Sequence, residues 1–138
     1  MIFVDTNVVS ETARREPATA VLDWIAKRDA VLALSTVVIA ELCFGIESVR
    51  ADQRSKLHAA NLNAWRRRLS KRIFGFDEPA ALVFGRIMGE GKLRGRPMST
   101  ADGMIAAIAL RHGASLATRN DEHFLIPGLV VMKPWSGL

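Results

Sequence analysis

Four carboxylates stand where an acid could take part in chemistry: Asp5, Glu41, Asp102 and Asp121. Asp5 directly follows the apolar run Ile2-Phe3-Val4, so it falls at the end of a short buried strand, with the helix-capping residue types Thr6 and Asn7 behind it. Glu41 is the one charge among residues 37–44. An ionised carboxylate on so apolar a helix must reach water, a partner charge or a metal ion. Asp102 opens a helical stretch after Ser99 and Thr100, and Asp121 follows a strand-like run through Thr118-Arg119-Asn120. Taken singly, each has a plain explanation. Asp5 caps a strand end, Glu41 lies on the exposed stripe of an amphipathic helix, Asp102 complements a helix dipole, and Asp121 makes an Asx-type turn.

Together they say more. Asp5 and the Asn120-Asp121 pair close two strands, Glu41 follows another strand by about two helical turns, and Asp102 opens a helix, so a parallel topology lets all four meet at one sheet edge. Clustered carboxylates raise one another's pKa unless a cation sits among them. Oxygen-only donors select a hard cation, Mg²⁺ or Mn²⁺, and the lack of a Cys/His cluster argues against zinc. The chemistry such a site supplies is activation of a water against a phosphodiester.

The elements that must position these acids follow from periodicity. Strands are expected at 2–4, 30–34, 73–77 and 114–118, with a short edge strand at 129–132. Helices are expected from 8 to about 13, from Pro17 onward, over 37–49, 51–72, 78 to about 89, and 101–112. Leu57, Leu62, Trp65 and Leu69 are assigned to the inner face of the fourth helix. Leu82, Val83, Ile87 and Met88 are assigned to the inner face of the fifth. The glycine-rich stretch 89–97 reads as loop. Strands alternating with helices predict a three-layer α/β/α fold, a central mostly parallel sheet of four to five strands, and a helical hairpin formed by the third and fourth helices.

The chain of 138 residues is expected to be one domain, 1–138, with the 49% hydrophobic and 24% charged residues of an ordinary globular protein. No apolar run reaches membrane-spanning length, no signal peptide is visible, and the single Cys43 rules out an internal disulfide, so a cytoplasmic setting is expected. A net charge of +5 favours a polyanionic partner such as nucleic acid. An acidic metal pocket on a basic protein is the electrostatic plan of a nuclease.

Four motifs in order then match a family: Val4-Asp5-Thr6-Asn7, Ile39-Ala40-Glu41-Leu42 with Gly45, residues 101–107 (Ala-Asp-Gly-Met-Ile-Ala-Ala), and Leu116-Ala117-Thr118-Arg119-Asn120. With the closing Pro134-Trp135, the chain resembles the PIN-domain toxins of the VapC/FitB type from type II toxin–antitoxin pairs. The resemblance implies an endoribonuclease dependent on Mg²⁺ or Mn²⁺, a homodimer, and a cognate antitoxin that forms a hetero-oligomer with it. It also implies Asp5, Glu41 and Asp102 as metal-binding acids, with Thr6 and Ser99 or Thr100 as polar support. The family's fourth acid commonly falls just after the Thr-Arg pair or three residues beyond. Here those places hold Asn120 and His123, with Asp121 between them, so Asp121, or Asn120 as a neutral substitute, is expected to complete the site.

Two rivals carry different chemistry. A phosphatase of the haloacid-dehalogenase type needs a second Asp where Asn7 stands. A catalytically silent PIN-like module would bind nucleic acid or an antitoxin without cutting. Other features have weaker readings. Arg66, Arg67 and Arg68 beside Trp65 form a basic cluster that either contacts RNA or is a solvated helix face. Arg94 and Arg96 sit in the glycine-rich loop. His112 and His123 lack a zinc or nucleophile pattern, and Cys43 is expected as a small core residue.

Overall fold

The computed structural model describes residues 1–136, so the last two residues of the expected domain lie outside it. Five strands form the sheet: β1 (Ile2–Val4), β2 (Leu32–Ser35), β3 (Ile73–Phe74), β4 (Ser115–Ala117) and β5 (Val131–Met132). All pair in parallel, in the order β3-β2-β1-β4-β5. The apolar runs explain the centre: every residue of β1 and β2 is buried, as parallel strands covered on both faces require. Six helices cover the sheet: α1 (Thr6–Glu11), α2 (Thr19–Arg28), α3 (Thr36–Glu47), α4 (Gln53–Arg68), α5 (Glu78–Leu93) and α6 (Thr100–Arg111). They lie on both sides, which makes the expected α/β/α fold.

The order of strands locates the functional edge. From β1 the chain adds β2 and then β3 outward on one side, then crosses back to place β4 on the other side of β1 and β5 beyond it. The direction of winding therefore reverses between β1 and β4. In open parallel sheets that crevice, beyond the carboxyl ends of the strands, is where ligands bind. The register puts Val4 beside Ala117, so Asp5 and Thr118 emerge side by side at that crevice.

Caps set the helix starts. Ser35, Asp52, Asp77 and Ser99 each accept a hydrogen bond from a backbone N–H of the first turn of the helix they precede. Asp52 and Ser55 form a reciprocal capping box, and Gly113 ends α6 with φ of 61°.

Several expectations are corrected. Residues 30–31 belong to a short 3₁₀ turn (Asp29–Val31) before β2, and Pro17 precedes α2 instead of entering its first turn. The helix α5 runs on to Leu93 through Gly89 and Gly91, because Asp77 and Pro79 start it firmly and Gly91 packs close to the backbone of the following turn. Leu57 and Leu82 are exposed, since each helix meets the core along a narrower stripe than its apolar content suggested. The same is true of α3, where only Val38 is fully buried. Cys43 is exposed for that reason and is not a core residue.

Candidate metal centre

Asp5 does two jobs at the end of β1. Its Oδ1 accepts from the Thr6 N–H at 2.8 Å and caps α1, and its Oδ2 accepts from the Thr118 hydroxyl at 2.7 Å. Thr118 is fully buried and is locked by its neighbours. Its oxygen accepts from the Asn7 side-chain amide at 3.2 Å and from the Asn120 N–H at 3.1 Å. A hydroxyl has one proton and two lone pairs, so with both lone pairs engaged the proton is directed at Asp5. Asn7 closes the network, its Oδ1 accepting from the Arg119 N–H at 3.1 Å. Motif matching passed over Thr118 and Asn7 as site residues; the signal for both was their place at the ends of the two strand-like runs that hold Asp5 and Asn120.

Asp5 is 4% exposed, and burial pushes its carboxyl above the usual range, with the Asp102 charge adding to the rise and the bonds from Thr118 and Thr6 opposing it. Glu41 projects from the second turn of α3. It is exposed as a residue, yet enough protein surrounds its carboxyl that partial burial lifts its pKa, and the charges of Asp5 and Asp102 lift it further. Asp102 lies in the first turn of α6, its N–H donating to Ser99 Oγ at 3.2 Å. The structure thus brings together Asp5, Glu41 and Asp102, from β1, α3 and α6, within range of one another's charge. Among the described residues no group of three stands close enough to form a closed ligand cluster.

The supporting residues divide. Thr6 follows Asp5 and its hydroxyl lies 3.5 Å from Oδ1; Ser99 caps α6 and Thr100 opens it. Asp121 begins the 3₁₀ turn Asp121–Phe124, where its carboxylate lies 3.5 Å from the Lys133 ammonium, which helps to lower its pKa. The residue of that turn nearest the acids is His123, whose Nδ1 is 3.6 Å from Asp102 Oδ2.

The Arg66-Arg67-Arg68 cluster lies elsewhere. Arg68 pairs with Asp29 at 2.5 Å, and Arg72, four residues on, donates to the carbonyls of Leu32 and Asp29. These are the residues that lead into β2, so the cluster sits at the amino edge of the sheet, opposite the acids. The cations on the acidic side are others. Arg54 shares with Glu41 a groove of about 670 Å³ between α3 and α4, which His58 also lines. Arg94 and Arg96 share with Asp102 a cleft of about 540 Å³.

A parallel sheet that reverses once, with three acids at its switch point and a Thr-Asn network beneath the first, defines a class that comparison identifies. The PIN domain model matches residues 2–127, and the chain belongs to the PIN-domain family. It is 38% identical to the VapC ribonuclease Y4jK of Sinorhizobium fredii over 142 residues, covering 99% of each chain. It is 33% identical to toxin FitB of Neisseria gonorrhoeae, covering 98% of this chain and 99% of that one. Its fold superimposes on the crystal structure of FitAcB from Neisseria gonorrhoeae with a TM-score of 0.88 at 32% identity, covering 98% of this chain and 99% of that chain.

Proposed function

We propose that this protein is the toxin of a type II toxin–antitoxin pair and acts as a divalent-metal-dependent endoribonuclease, with Asp5, Glu41 and Asp102 holding the cation. The observation that carries this reading is the convergence of those three acids, from separate elements, at the crevice between β1 and β4. Similarity to proteins named VapC ribonuclease and tRNA(fMet)-specific endonuclease VapC supports RNA as the substrate class.

The residues fit the ion. Every donor is a carboxylate oxygen, which suits Mg²⁺ or Mn²⁺, and the upward shifts of Asp5 and Glu41, caused first by burial and then by the charges of the neighbouring acids, are a penalty that a cation would offset. When bound, the ion supplies an activated water and charge neutralisation at the phosphodiester. The chain's own residues do the positioning. Thr118 and the Thr6 N–H fix the orientation of the Asp5 carboxylate, and Ser99 fixes the turn that presents Asp102. Asp121, or Asn120 beside it, completes the outer part of the site. Asp121 reaches it by leaving its solvent-exposed contact with Lys133, which solvent screens.

The partners follow from the same reading. Structural relatives include FitAB bound to a DNA fragment, a toxin–antitoxin assembly, which supports a cognate antitoxin and a hetero-oligomer with it. The homodimer is favoured by the large apolar side chains left in water on α3 and α5. No helix among the described residues is long and apolar enough to cross a membrane, and a cytoplasmic setting matches an RNA substrate.

Asp5→Asn tests the reading. Asn caps helices as well as Asp does, so the fold should persist by circular dichroism while Mg²⁺- or Mn²⁺-dependent RNA cleavage falls by about a hundredfold or more. Full cleavage by the folded variant would sink the mechanism. Calorimetric titration with Mn²⁺ separates the enzyme from a silent module, which should show no binding that Asp5→Asn removes.

A further inference from the structure

We propose that the cleft between the C-terminal end of α5 and the 3₁₀ turn Asp121–Phe124 is a track for the backbone of single-stranded RNA beside the acids, with Arg94 and Arg96 as its phosphate anchors. This rests on the ribonuclease reading and adds the direction in which the strand leaves the metal centre.

Position gives the first reason. Asp102 lies at the wall of this cleft together with Ser99 and His123, so the cleft opens directly from the acid centre. Arg94 and Arg96 line the same cleft, with Glu90 and Glu122, and also the adjoining depression that holds Lys133 with Asp121, so these two arginines are the cations common to both as the surface leads outward from the acids. The more conspicuous cluster Arg66-Arg67-Arg68 sits at the opposite edge of the sheet and cannot hold the same stretch of strand.

The second reason is that the arginines are mounted on a built turn. The Arg96 N–H donates to the Gly91 carbonyl at 2.8 Å and the Gly95 N–H to the Lys92 carbonyl at 3.1 Å. Gly95 takes φ of 72°, a conformation that side chains disfavour. A Cβ on Gly91 would stand 2.9 Å from the Arg96 carbonyl oxygen, so the turn closes against the helix only because position 91 is glycine. The glycines that made residues 89–97 look like loose loop in fact fix the backbone turn that carries Arg94 and Arg96.

The third reason is chemical balance. Half-buried Glu90 stands 3.8 Å from Arg86 and 3.9 Å from Arg94, so one carboxylate is shared between two cations, and Arg96 appears in no ion pair among the described residues. Met98, Ile126 and Ile87 supply apolar wall, against which an unstacked base or ribose can lie while the phosphates meet the arginines. An acidic peptide would use the charges but not that wall.

The test measures binding in the Asp5→Asn background, where cleavage is silenced, using a short fluorescein-labelled single-stranded RNA of mixed sequence. Adding Arg94→Ala and Arg96→Ala should weaken binding about tenfold or more and flatten the dependence of log affinity on log salt by roughly 1.4, about 0.7 for each lost phosphate contact. A charge-matched control, Lys27→Ala with Lys71→Ala, should change affinity far less. Gly91→Ala leaves the net charge intact and should also weaken binding, with folding verified by thermal melting, because a built track depends on the turn and a diffuse field does not. Unchanged affinity in the double arginine variant, with cleavage by the unmodified protein intact, overturns the track alone. So does a loss that appears with Arg66→Ala and Arg67→Ala instead, or weakened binding of an oligo-glutamate peptide with none of RNA. Absence of both cleavage by the unmodified protein and RNA binding by any variant overturns the ribonuclease reading with it.

Discussion

Burial raises the Asp5 carboxyl above its usual range, and of the few contacts that oppose the rise the Thr118 hydroxyl is the strongest. Replacing Thr118 by Val keeps the shape and removes the proton donor. The Asp5 carboxyl then rises further, and the Asn7 side-chain amide and the Asn120 backbone N–H lose a shared acceptor, for a stability cost of about 1–3 kcal/mol from unmet buried polar groups. The sign of the pH effect follows from the upward shifts. As pH falls, Asp5 and Glu41 take up protons in the folded chain before ordinary carboxylates near 4 do so in the unfolded one. The metal-free fold therefore gains stability on acidification through that window, while metal binding, which needs the ionised forms, is lost across it. In Mn²⁺ titrations followed by calorimetry, the pH at which binding disappears should move upward in Thr118→Val and return to the original value in Thr118→Ser. An unmoved midpoint would leave Thr118 with a purely structural role. Asp5, Glu41 and Asp102 were legible in the sequence because acids in apolar settings stand out. Thr118 and Asn7 carried only the signal of their place at the strand ends, because a buried hydrogen-bond hub has no composition of its own.

At the scale of elements, presentation of Asp102 depends on how α6 packs on α5. The two helices pack tightly at Gly103, next to Asp102, where a Cβ would collide with Met88 Sδ and stand 3.0 Å from Phe84 Cε1 and 3.3 Å from Met88 Cγ. Gly103→Ala should gain about 1 kcal/mol of helix propensity, yet lose about 1–3 kcal/mol as two packed side chains are displaced. The expected net effect is a destabilisation of roughly 1 kcal/mol in denaturant unfolding, together with weaker Mn²⁺ binding as the first turn of α6 moves. Adding Gly103→Ala to a Met88→Ala background should be neutral or stabilising, because the colliding side chain is gone and the propensity gain remains. Destabilisation of equal size in both backgrounds would rule out the close approach as its cause. Strand positions, the Ser99 cap and the parallel pairing could be read from periodicity and residue type. The end of α5 could not, because glycines that signal a loop in isolation are here used for close packing, and only the packed partners reveal it.

Across the whole molecule, charge and apolar surface divide the labour. The acids gather at the switch point of the sheet, arginines line the clefts that lead from it, and large apolar side chains stand exposed on α3 and α5. Phe44 on α3 is 75% exposed, Leu82 on α5 is 73%, and Leu93 at the end of α5 is 89%. Leaving side chains of this size in water forgoes roughly 1.5–3 kcal/mol each relative to full burial, which is the free energy a second copy of the chain can recover. Light scattering of the purified protein should therefore give about twice the 15.2 kDa of a single chain. Phe44→Asp together with Leu82→Asp should return the mass to that of one chain, since burying two carboxylates on each side would cost more than the apolar contact provides. The helical content should stay unchanged by circular dichroism, because neither side chain belongs to the core. A wild-type mass of one chain at micromolar concentration would show that these side chains serve another partner, and an unaltered dimer in the double variant would place the interface on a different face.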